Sequence, residues 1–332
     1  MYQIVNMMNL VYMAKPIYGG WVTFTAHLSL KCSAELYKIG KRTEPNKRDY
    51  GYGVKYQNLR IDELIQKENI LITAVDKHYW KYLELFPKGT KIVIHDPTEL
   101  KGKENKLREL LENFDVITIR KSVQEFLKDT YNKESVFLPH PFYGYTKDTS
   151  SEKCDYYTTC ISRIDFDKNI NLILSANKRL GDEKKIYLFG AENRLYVHHK
   201  LQNMDFEKYW KGKYPKNLPM KYDGKDLLDN CAFVVDMSII VGDGGGTQYT
   251  FLEAIYHDCA LILHKEWVNK GDTFKAGYNC YVVGETEDIG KEISDIINRG
   301  IDSEYKKIIK NAKKILKPHL GDAWKSIFSK IK

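Results

Sequence analysis

One glycine-rich segment of this chain combines the features of an anion site with a nearby carboxylate. The apolar run Ala232–Met237 predicts a buried strand, and Gln248–Tyr256 predicts a helix with Thr247 at its N-cap. A helix that begins directly after glycines presents free N–H groups and the positive end of its dipole, which suits phosphate. The alternative is a tight turn with Glu253, further along the helix, on a solvated face. The glycines are Gly242, Gly244, Gly245 and Gly246.

Two positive charges follow another predicted strand, Tyr156–Ile161. Arg163 and Lys168 lie five residues apart in one loop, where both could reach a diphosphate. Arginine offers phosphate a planar fork of donors, and lysine offers a mobile point charge. Taken singly, they could equally be solvated loop charges. Asp165 and Asp167 match a D-x-D metal pattern, but the short match favours a local turn role, and we predict no essential metal.

The N-terminal region repeats the strand, glycine turn and helix. The predicted strand Ile4–Tyr12 is followed by Gly19 and Gly20, and a helix comes next. This arrangement can bring backbone N–H groups to an anion, although a plain strand-to-helix turn is the alternative. His95 ends a further buried strand, where side chains of parallel sheets meet ligands. It could equally be a hydrogen-bonded histidine at a strand end.

Strand, loop and helix alternate along the whole chain, with one interruption. The polar stretch Gly144–Lys153 lacks apolar periodicity and predicts a linker. The sequence therefore predicts an α/β protein of two Rossmann-like domains facing each other across a deep cleft, with ligands held against strand carboxyl ends. We place the domains at 1–145 and 146–317, with the C-terminal helix 318–332 packing back on the first. The segment Cys32–Tyr56 is left open between a hairpin and a mobile loop.

Other elements rest on local pattern alone. They include a helix over His78–Phe86 and a helix through Lys128 that Ser122 caps. The basic segment Lys306–Lys317 has apolar residues at helical spacing, which favours the wet face of a packed helix over a membrane anchor.

Composition limits the classes of partner. A chain of 332 residues with 43% hydrophobic residues can build one large or two medium cores. The formal charge of +8 favours an anionic partner, but 44 acidic residues among 52 basic ones argue against nucleic acid. Peripheral membrane contact and a homodimer are left open.

Six cysteines without a Cys-x-x-Cys pair indicate reduced thiols in a cytoplasmic protein. No apolar run reaches about 18 residues, so no membrane span is predicted.

These segments together resemble the retaining GT-B glycosyltransferases of glycosyltransferase family 4. Ile161–Lys168 is similar to that family's loop with its phosphate-binding Arg and Lys, and Tyr187–Gly190 to the strand that ends in Gly before the base site. Phe233–Ala254 resembles the stretch with the Glu-x7-Glu motif. Gly19-Gly20 resembles the N-terminal glycine pair, and His95-Asp96 the strand-end histidine.

One position departs from the family pattern. Glu253 fits the second Glu of the motif, but Gly245 stands where the first is expected. Asp243 is the nearest acid and is the residue that could partly replace it.

The resemblance implies a retaining hexosyltransferase with GT-B architecture. It would move a hexose from GDP-mannose or UDP-glucose to a glycan or glycoprotein acceptor, with the acceptor side on domain 1–145, the donor side on domain 146–317, and no cofactor. Arg163, Lys168 and the amides of Gly244–Thr247 would stabilise the leaving diphosphate, and Glu253 would bind the ribose. The implied catalytic residues are His95, Asp243, Arg163 and Lys168; the implied donor-binding residues are Gly19, Gly20, Arg163, Lys168, Gly190, Gly244, Gly245, Gly246, Thr247 and Glu253.

Other functions stay open at this stage. A non-catalytic or degenerate nucleotide-sugar-binding protein is the main alternative, because Gly245 replaces an acid. DNA glucosylation uses the same fold, but the modest basic excess does not support it. The Lys-, Tyr-, Ile- and Asn-rich composition resembles that of glycosyltransferases of chloroviruses and other large DNA viruses, which would imply action in a host cytoplasm.

Overall fold

The computed structural model shows two compact units. The N-terminal unit comprises Met1–Tyr145 with Pro318–Lys332, and the C-terminal unit comprises Thr146–Lys317. Most of the linker predicted over Gly144–Lys153 lies outside the described residues. The structure describes residues 7–16, 19–40, 54–96, 104–144, 156–212, 225–239 and 246–327.

The N-terminal unit is built on a sheet of seven described strands, all parallel. Their order is β3-β2-β1-β4-β5-β6-β7. The chain runs outward from β1 to one edge and then restarts on the other side at β4, so the topological switch point lies between β1 and β4. The strands are β1 (Asn9–Met13), β2 (Glu35–Ile39), β3 (Gln57–Leu59), β4 (Ile70–Val75), β5 (Thr90–Ile94), β6 (Phe114–Thr118) and β7 (Val136–Phe137).

Strand β2 corrects the prediction for Cys32–Tyr56. Residues 35–39 form neither a hairpin nor a loop, because β2 pairs in parallel with both β1 and β3, whereas residues 41–53 of this segment lie outside the described residues. Its middle residues Leu36 and Tyr37 are buried apolar side chains of the core. Lys38 is buried beside them, with its ammonium 5.2 Å from the centre of the Tyr12 ring. Because this lysine lies on an aromatic face, a strand with a basic sequence can still be internal.

Two helix predictions in this unit have different outcomes. The helix predicted over His78–Phe86 is present as a shorter 3-10 helix, Trp80–Leu85. Ser122 is not an N-cap, because the helix begins at Lys121 and Arg120 occupies the cap position without a side-chain hydrogen bond. The α-helices of this part are α1 (Gly20–Cys32), α2 (Ile61–Leu64), α3 (Glu104–Glu112) and α4 (Lys121–Tyr131).

The C-terminal unit has a second parallel sheet, of five described strands, in the order β12-β11-β10-β8-β9. From β8 the chain adds β9 on one side and then crosses to β10 on the other. The switch point therefore lies between β8 and β10, whose carboxyl ends are adjacent. The strands are β8 (Thr158–Ile161), β9 (Ile186–Phe189), β10 (Phe233–Asp236), β11 (Ala260–His264) and β12 (Tyr281–Val283).

Helices cover this sheet, and one pair approaches closely. A Cβ on Gly290 would lie 2.0 Å from Ser175 Oγ, so the helix that starts at Ile289 can pack on its neighbour because residue 290 is glycine. The α-helices are α5 (Ile170–Asn177), α6 (Arg194–Tyr196), α7 (Phe206–Tyr209), α8 (Lys225–Leu228), α9 (Tyr249–Tyr256), α10 (Lys265–Val268), α11 (Ile289–Arg299) and α12 (Ser303–Leu320).

The end of the chain belongs to the N-terminal unit. After α12 comes a short helix, α13 (Ala323–Ser326). Trp324 is buried with its ring 5.4 Å from Phe24 of α1, and its Nε1 donates to the Pro139 carbonyl at 2.7 Å. An indole fixed in this way anchors the terminal segment to α1. Within the described ranges, no helix is both long and apolar enough to cross a membrane.

Candidate functional site

The loops after β8 and β10 are joined at the switch point of the C-terminal unit. Lys168, in the β8 loop, donates from Nζ to Ser238 Oγ in the β10 loop at 2.7 Å. The backbone N–H of Ile239 donates to the Asp167 carbonyl at 2.9 Å. These contacts fix an ammonium group at the edge of the sheet where α/β proteins bind ligands.

Lys168 is a buried cation. Its side chain is 8% exposed, and its described partners are the Ser238 hydroxyl and, at 4.0 Å, an Asp167 carboxylate oxygen. The Ser238 N–H donates to Asp236 Oδ1 at 2.8 Å, which holds the hydroxyl in place. A buried charge costs free energy unless it is paired, and no described carboxylate is at hydrogen-bond distance. The site is therefore suited to an anionic ligand.

Arg163 lies in the same loop but is more exposed. Its guanidinium donates to Asp165 at 2.8 Å and to Asp167 at 3.0 Å, with 59% of the side chain exposed. Exposed ion pairs contribute little, about 0–1 kcal/mol, so a phosphate could replace these carboxylates at small cost. The other N–H groups of the guanidinium add further donors.

The two aspartates have local roles in this loop. Asp165 Oδ1 accepts from the Phe166 N–H at 2.8 Å and from Asn193 Nδ2 at 2.9 Å, so it caps the turn and joins it to the loop after β9. This geometry accords with the turn interpretation of the D-x-D pattern. Among the residues that the structure describes, no three His, Cys, Asp or Glu side chains are grouped to hold a metal ion. Independence from metal stays a prediction.

Gly190, at the end of β9, is a packing position. A Cβ there would lie 1.7 Å from the Ser162 carbonyl oxygen, which precedes Arg163 in the β8 loop. The Gly190 N–H donates to the Gly212 carbonyl at 3.0 Å. Glycine is therefore required for the close approach of the loop that carries Arg163. Its contact with a nucleotide stays a prediction.

Substitution of Gly190 tests this packing. Gly190→Ala should lower the free energy of unfolding of the C-terminal unit by about 2 kcal/mol or more, because the backbone at Ser162 must move. Gly20→Ala is the matched control, since a Cβ there meets nothing within 4 Å and the position is helical. Urea unfolding curves of both variants measure the difference, and equal stability would contradict the packing role.

The glycine-rich segment is described only in part. Asp243, Gly244 and Gly245 lie outside the described residues. Gly246 has a φ of 86°, and its carbonyl accepts from Trp267 Nε1 at 3.1 Å. A left-handed φ of this kind favours glycine.

The N-cap prediction for Thr247 is wrong. Helix α9 begins at Tyr249, and Gln248 is its N-cap, with φ −118° and ψ 160°. Thr247 is buried, and the extended chain at Gln248 separates the helix from the glycines. The first free N–H groups of α9 therefore lie further along the chain than predicted.

Glu253 is buried within α9, with 2% of the residue exposed. Burial, and second the charge of Glu253, raise the pKa of Tyr249 well above its ordinary value. The two side chains are thus close on adjacent turns. A ribose contact by Glu253 stays a prediction.

The remaining predicted residues lie in the N-terminal unit, after β1 and β5. Gly19 has a φ of 101°, and its carbonyl accepts from the N–H groups of Val22 and Thr23, which starts α1. No side chain caps this helix start in the part of the chain that is described. A Cβ on Gly20 would meet open space, so Gly20 is not required by packing.

His95 is a buried, neutral histidine. Its Nε2 lies 2.7 Å from the Thr73 carbonyl, which can only accept, so Nε2 carries the proton. Burial lowers the pKa of His95 to about 4. Its ring meets Phe24 edge-on at 4.6 Å between centroids. This geometry is that of a hydrogen-bonded histidine at the end of a strand, which was the alternative to a ligand contact. A contact of His95 with the donor sugar stays a prediction.

The structure brings the predicted residues together only within the C-terminal unit. Arg163 and Lys168 meet at Asp167, and Gly190 packs on the loop that carries them. Ser238 was not among the predicted residues, although it is the first hydroxyl after the buried strand β10. Asn193 was not predicted either, because its role depends on a contact between two loops.

Comparisons with known proteins identify the fold. No protein-family model matches the chain, and no curated protein matches it in sequence. HepE of Anabaena, solved with UDP-glucose, is similar in structure with a TM-score of 0.63 at 14% identity, over 93% of this chain and 94% of that one. A glycosyltransferase of Rickettsia africae gives 0.60 at 12% identity, over 94% and 93%. An α-glucosyltransferase solved with UDP and a 13-mer DNA gives 0.64 at 14% identity, over 98% of both.

These likenesses, at low identity, are likenesses of fold. With the two parallel sheets and their strand orders, they establish that the chain adopts the GT-B fold of two Rossmann-like α/β domains. Membership of one glycosyltransferase family does not follow from them.

Proposed function

We propose that this protein is a retaining glycosyltransferase that moves a hexose from a nucleoside-diphosphate sugar to a glycan or glycoprotein acceptor. The observation that carries the proposal is the buried ammonium of Lys168 at the switch point of a GT-B fold, with Arg163 in the same loop. Two cations at one strand edge suit a diphosphate better than a neutral ligand. The cysteines in the described part of the chain form no disulfide bond, which supports a cytoplasmic setting.

The chemistry asked of these residues is stabilisation of a leaving group. As the bond between the sugar and the diphosphate breaks, negative charge grows on the diphosphate oxygens. Lys168 is fixed by Ser238 before the ligand arrives, so little reorganisation is needed. Arg163 would exchange its two carboxylate partners for phosphate oxygens. We propose that these charges act without an essential metal ion.

We favour a uridine donor over a guanosine donor. HepE and the α-glucosyltransferase were each solved with a uridine nucleotide, and a pneumococcal O-GlcNAc transferase of similar fold was solved with UDP and GlcNAc. UDP-glucose is therefore the donor to test first, with GDP-mannose as the comparison.

Calorimetry with UDP, GDP, UDP-glucose and GDP-mannose tests the proposal. We expect UDP and UDP-glucose to bind, and UDP-glucose to be hydrolysed slowly without an acceptor and without added metal. NMR of the first sugar product should show the anomeric configuration of the donor. If none of these ligands binds, the transferase proposal is wrong.

One further outcome is informative. Binding without hydrolysis or transfer would indicate a non-catalytic nucleotide-sugar-binding protein. The acceptor screen should contain duplex DNA beside glycans, because one structural neighbour was solved with DNA.

A further inference from the structure

Helix α12 presents a row of lysines that the proposed function does not use. All six are exposed, and at 100° per residue they fall within an arc of about 120°, about 17 Å long. Ile308, Ile309, Ala312 and Leu316 are buried on the opposite side. We call this set the α12 lysine face: Lys306, Lys307, Lys310, Lys313, Lys314 and Lys317.

The α12 lysine face is poorly neutralised by the protein itself. From Tyr305 to Gly321 the sequence contains no Asp or Glu. In the described part of the chain, one of the six lysines forms an ion pair, Lys313 with Asp258 at 2.5 Å. Lysines four residues apart on a helix repel one another, as Lys306 and Lys310 do here. The mutual repulsion of these lysines therefore lowers the stability of the folded chain. The same uncompensated positive charge attracts an anionic surface strongly.

Exposed side chains with apolar parts lie at the margin of this face. Tyr278 is 41% exposed, and its hydroxyl accepts from Lys314 Nζ at 3.1 Å, with that ammonium 5.4 Å from the ring centre. Leu320, one turn beyond Lys317 in the same helix, is also 41% exposed. Lysine beside an exposed tyrosine matches the composition of proteins at the headgroup region of a bilayer.

We infer that the α12 lysine face docks on a membrane surface rich in anionic phospholipid. The lysines lie on the outside of one helix, a shape that meets a flat surface. They are point charges, and the neighbouring Asn311 amide is buried and already bonded to Lys314 Nζ and the Tyr278 carbonyl, which disfavours reading of base edges in nucleic acid. Because the apolar side of α12 is packed in the core, the helix contacts lipid without inserting.

Vesicle co-sedimentation tests this inference on the full chain. In about 0.15 M salt, the protein should bind vesicles of equal parts phosphatidylserine and phosphatidylcholine, and not vesicles of phosphatidylcholine alone. The variant Lys306→Glu, Lys310→Glu, Lys313→Glu and Lys317→Glu should bind the anionic vesicles about 100-fold more weakly or worse.

A matched control separates the α12 lysine face from net charge. The variant Lys77→Glu, Lys88→Glu, Lys178→Glu and Lys200→Glu changes four other exposed lysines by the same charge. It should retain most of the vesicle binding. Circular dichroism of both variants checks the fold, since glutamate and lysine have similar helix propensity.

Three outcomes would overturn the inference. They are no binding of the wild type to anionic vesicles, equal loss in the two variants, and binding to duplex DNA but not to vesicles. None of these outcomes depends on nucleotide binding. Failure of this inference can therefore be distinguished from failure of the proposed function.

Discussion

Replacing Lys168 by methionine and Arg163 by alanine together should weaken UDP binding by roughly five thousandfold, which corresponds to about 5 kcal/mol of binding free energy. A hydrogen bond to a charged group contributes about 1.5–3 kcal/mol, and the double variant removes both cations from the loop. Isothermal titration calorimetry measures the change. Unaltered affinity would remove this loop from the donor site.

The two single variants should differ, and the order tests the geometry. Lys168→Met should cost about 3 kcal/mol of binding free energy, because its ammonium is buried and has no described carboxylate at hydrogen-bond distance. Arg163→Ala should cost about 2 kcal/mol, because this exposed guanidinium must first leave Asp165 and Asp167. A larger loss for Arg163→Ala would mean that Arg163 is the main diphosphate ligand, and equal losses would mean that the burial of Lys168 gives it no advantage.

Arg179 provides the matched control for Arg163. It lies in the same unit and is a half-exposed arginine paired to Asp288 at 2.7 Å, much as Arg163 is paired to Asp165 at 2.8 Å. Arg179→Ala should leave UDP affinity unchanged.

Lys168→Met should not lower the free energy of unfolding, since it replaces a buried charge by an apolar chain of similar length.

The sequence predicted the buried strands best. Ala260–His264 was predicted with the bounds that the structure shows, and Phe233–Asp236 within one residue at each end. Both are continuous apolar runs, as parallel strands covered on both faces require. Glu35–Ile39 was missed because its core side chains, Leu36 and Tyr37, are flanked by charged residues. Lys38 rests on an aromatic ring that lies far along the chain, and local pattern cannot reveal such a contact.

The site was predictable in residue type and less so in geometry. Arg163 and Lys168 could be found because they follow a strand in a loop. That Lys168 is buried and Arg163 exposed depends on which loop lies next to theirs. This is set by the strand order, which places β10 beside β8. The predicted start of α9 is one residue too early, because Gln248 is extended (φ −118°, ψ 160°) and not helical.

Four buried histidines make the N-terminal unit sensitive to acid. Burial lowers the pKa of His27 to about 3 and that of His95 to about 4. Burial also lowers the pKa of His140 and His319, and His140 lies near Arg120 and the other three histidines. His27 Nδ1 accepts from the Tyr143 N–H at 2.9 Å, and an acceptor nitrogen must be unprotonated. The folded unit thus holds neutral rings.

The sign of the pH effect follows from these shifts. In the unfolded chain a histidine binds a proton near pH 6.5, whereas in the folded chain His95 does so only near pH 4 and His27 only near pH 3. Between these values the unfolded state binds more protons, so stability is full above about pH 6.5 and falls as the pH falls. At about pH 5, His27 and His95 alone should lower the free energy of unfolding by about 4 kcal/mol.

Urea unfolding at about pH 7.5 and about pH 5 measures this loss, and hydrogen exchange locates it. Peptides of the N-terminal unit should lose more protection than those of the C-terminal unit, in which burial lowers the pKa of His264. His95→Gln can still donate to the Thr73 carbonyl but cannot ionise, so it should remove about 2 kcal/mol of the pH-dependent loss. His198→Gln, an exposed position, should leave the loss unchanged. The measured quantity is the difference in the free energy of unfolding between the two pH values. A loss of stability in His95→Gln that is equal at both pH values would therefore not reproduce the expected result.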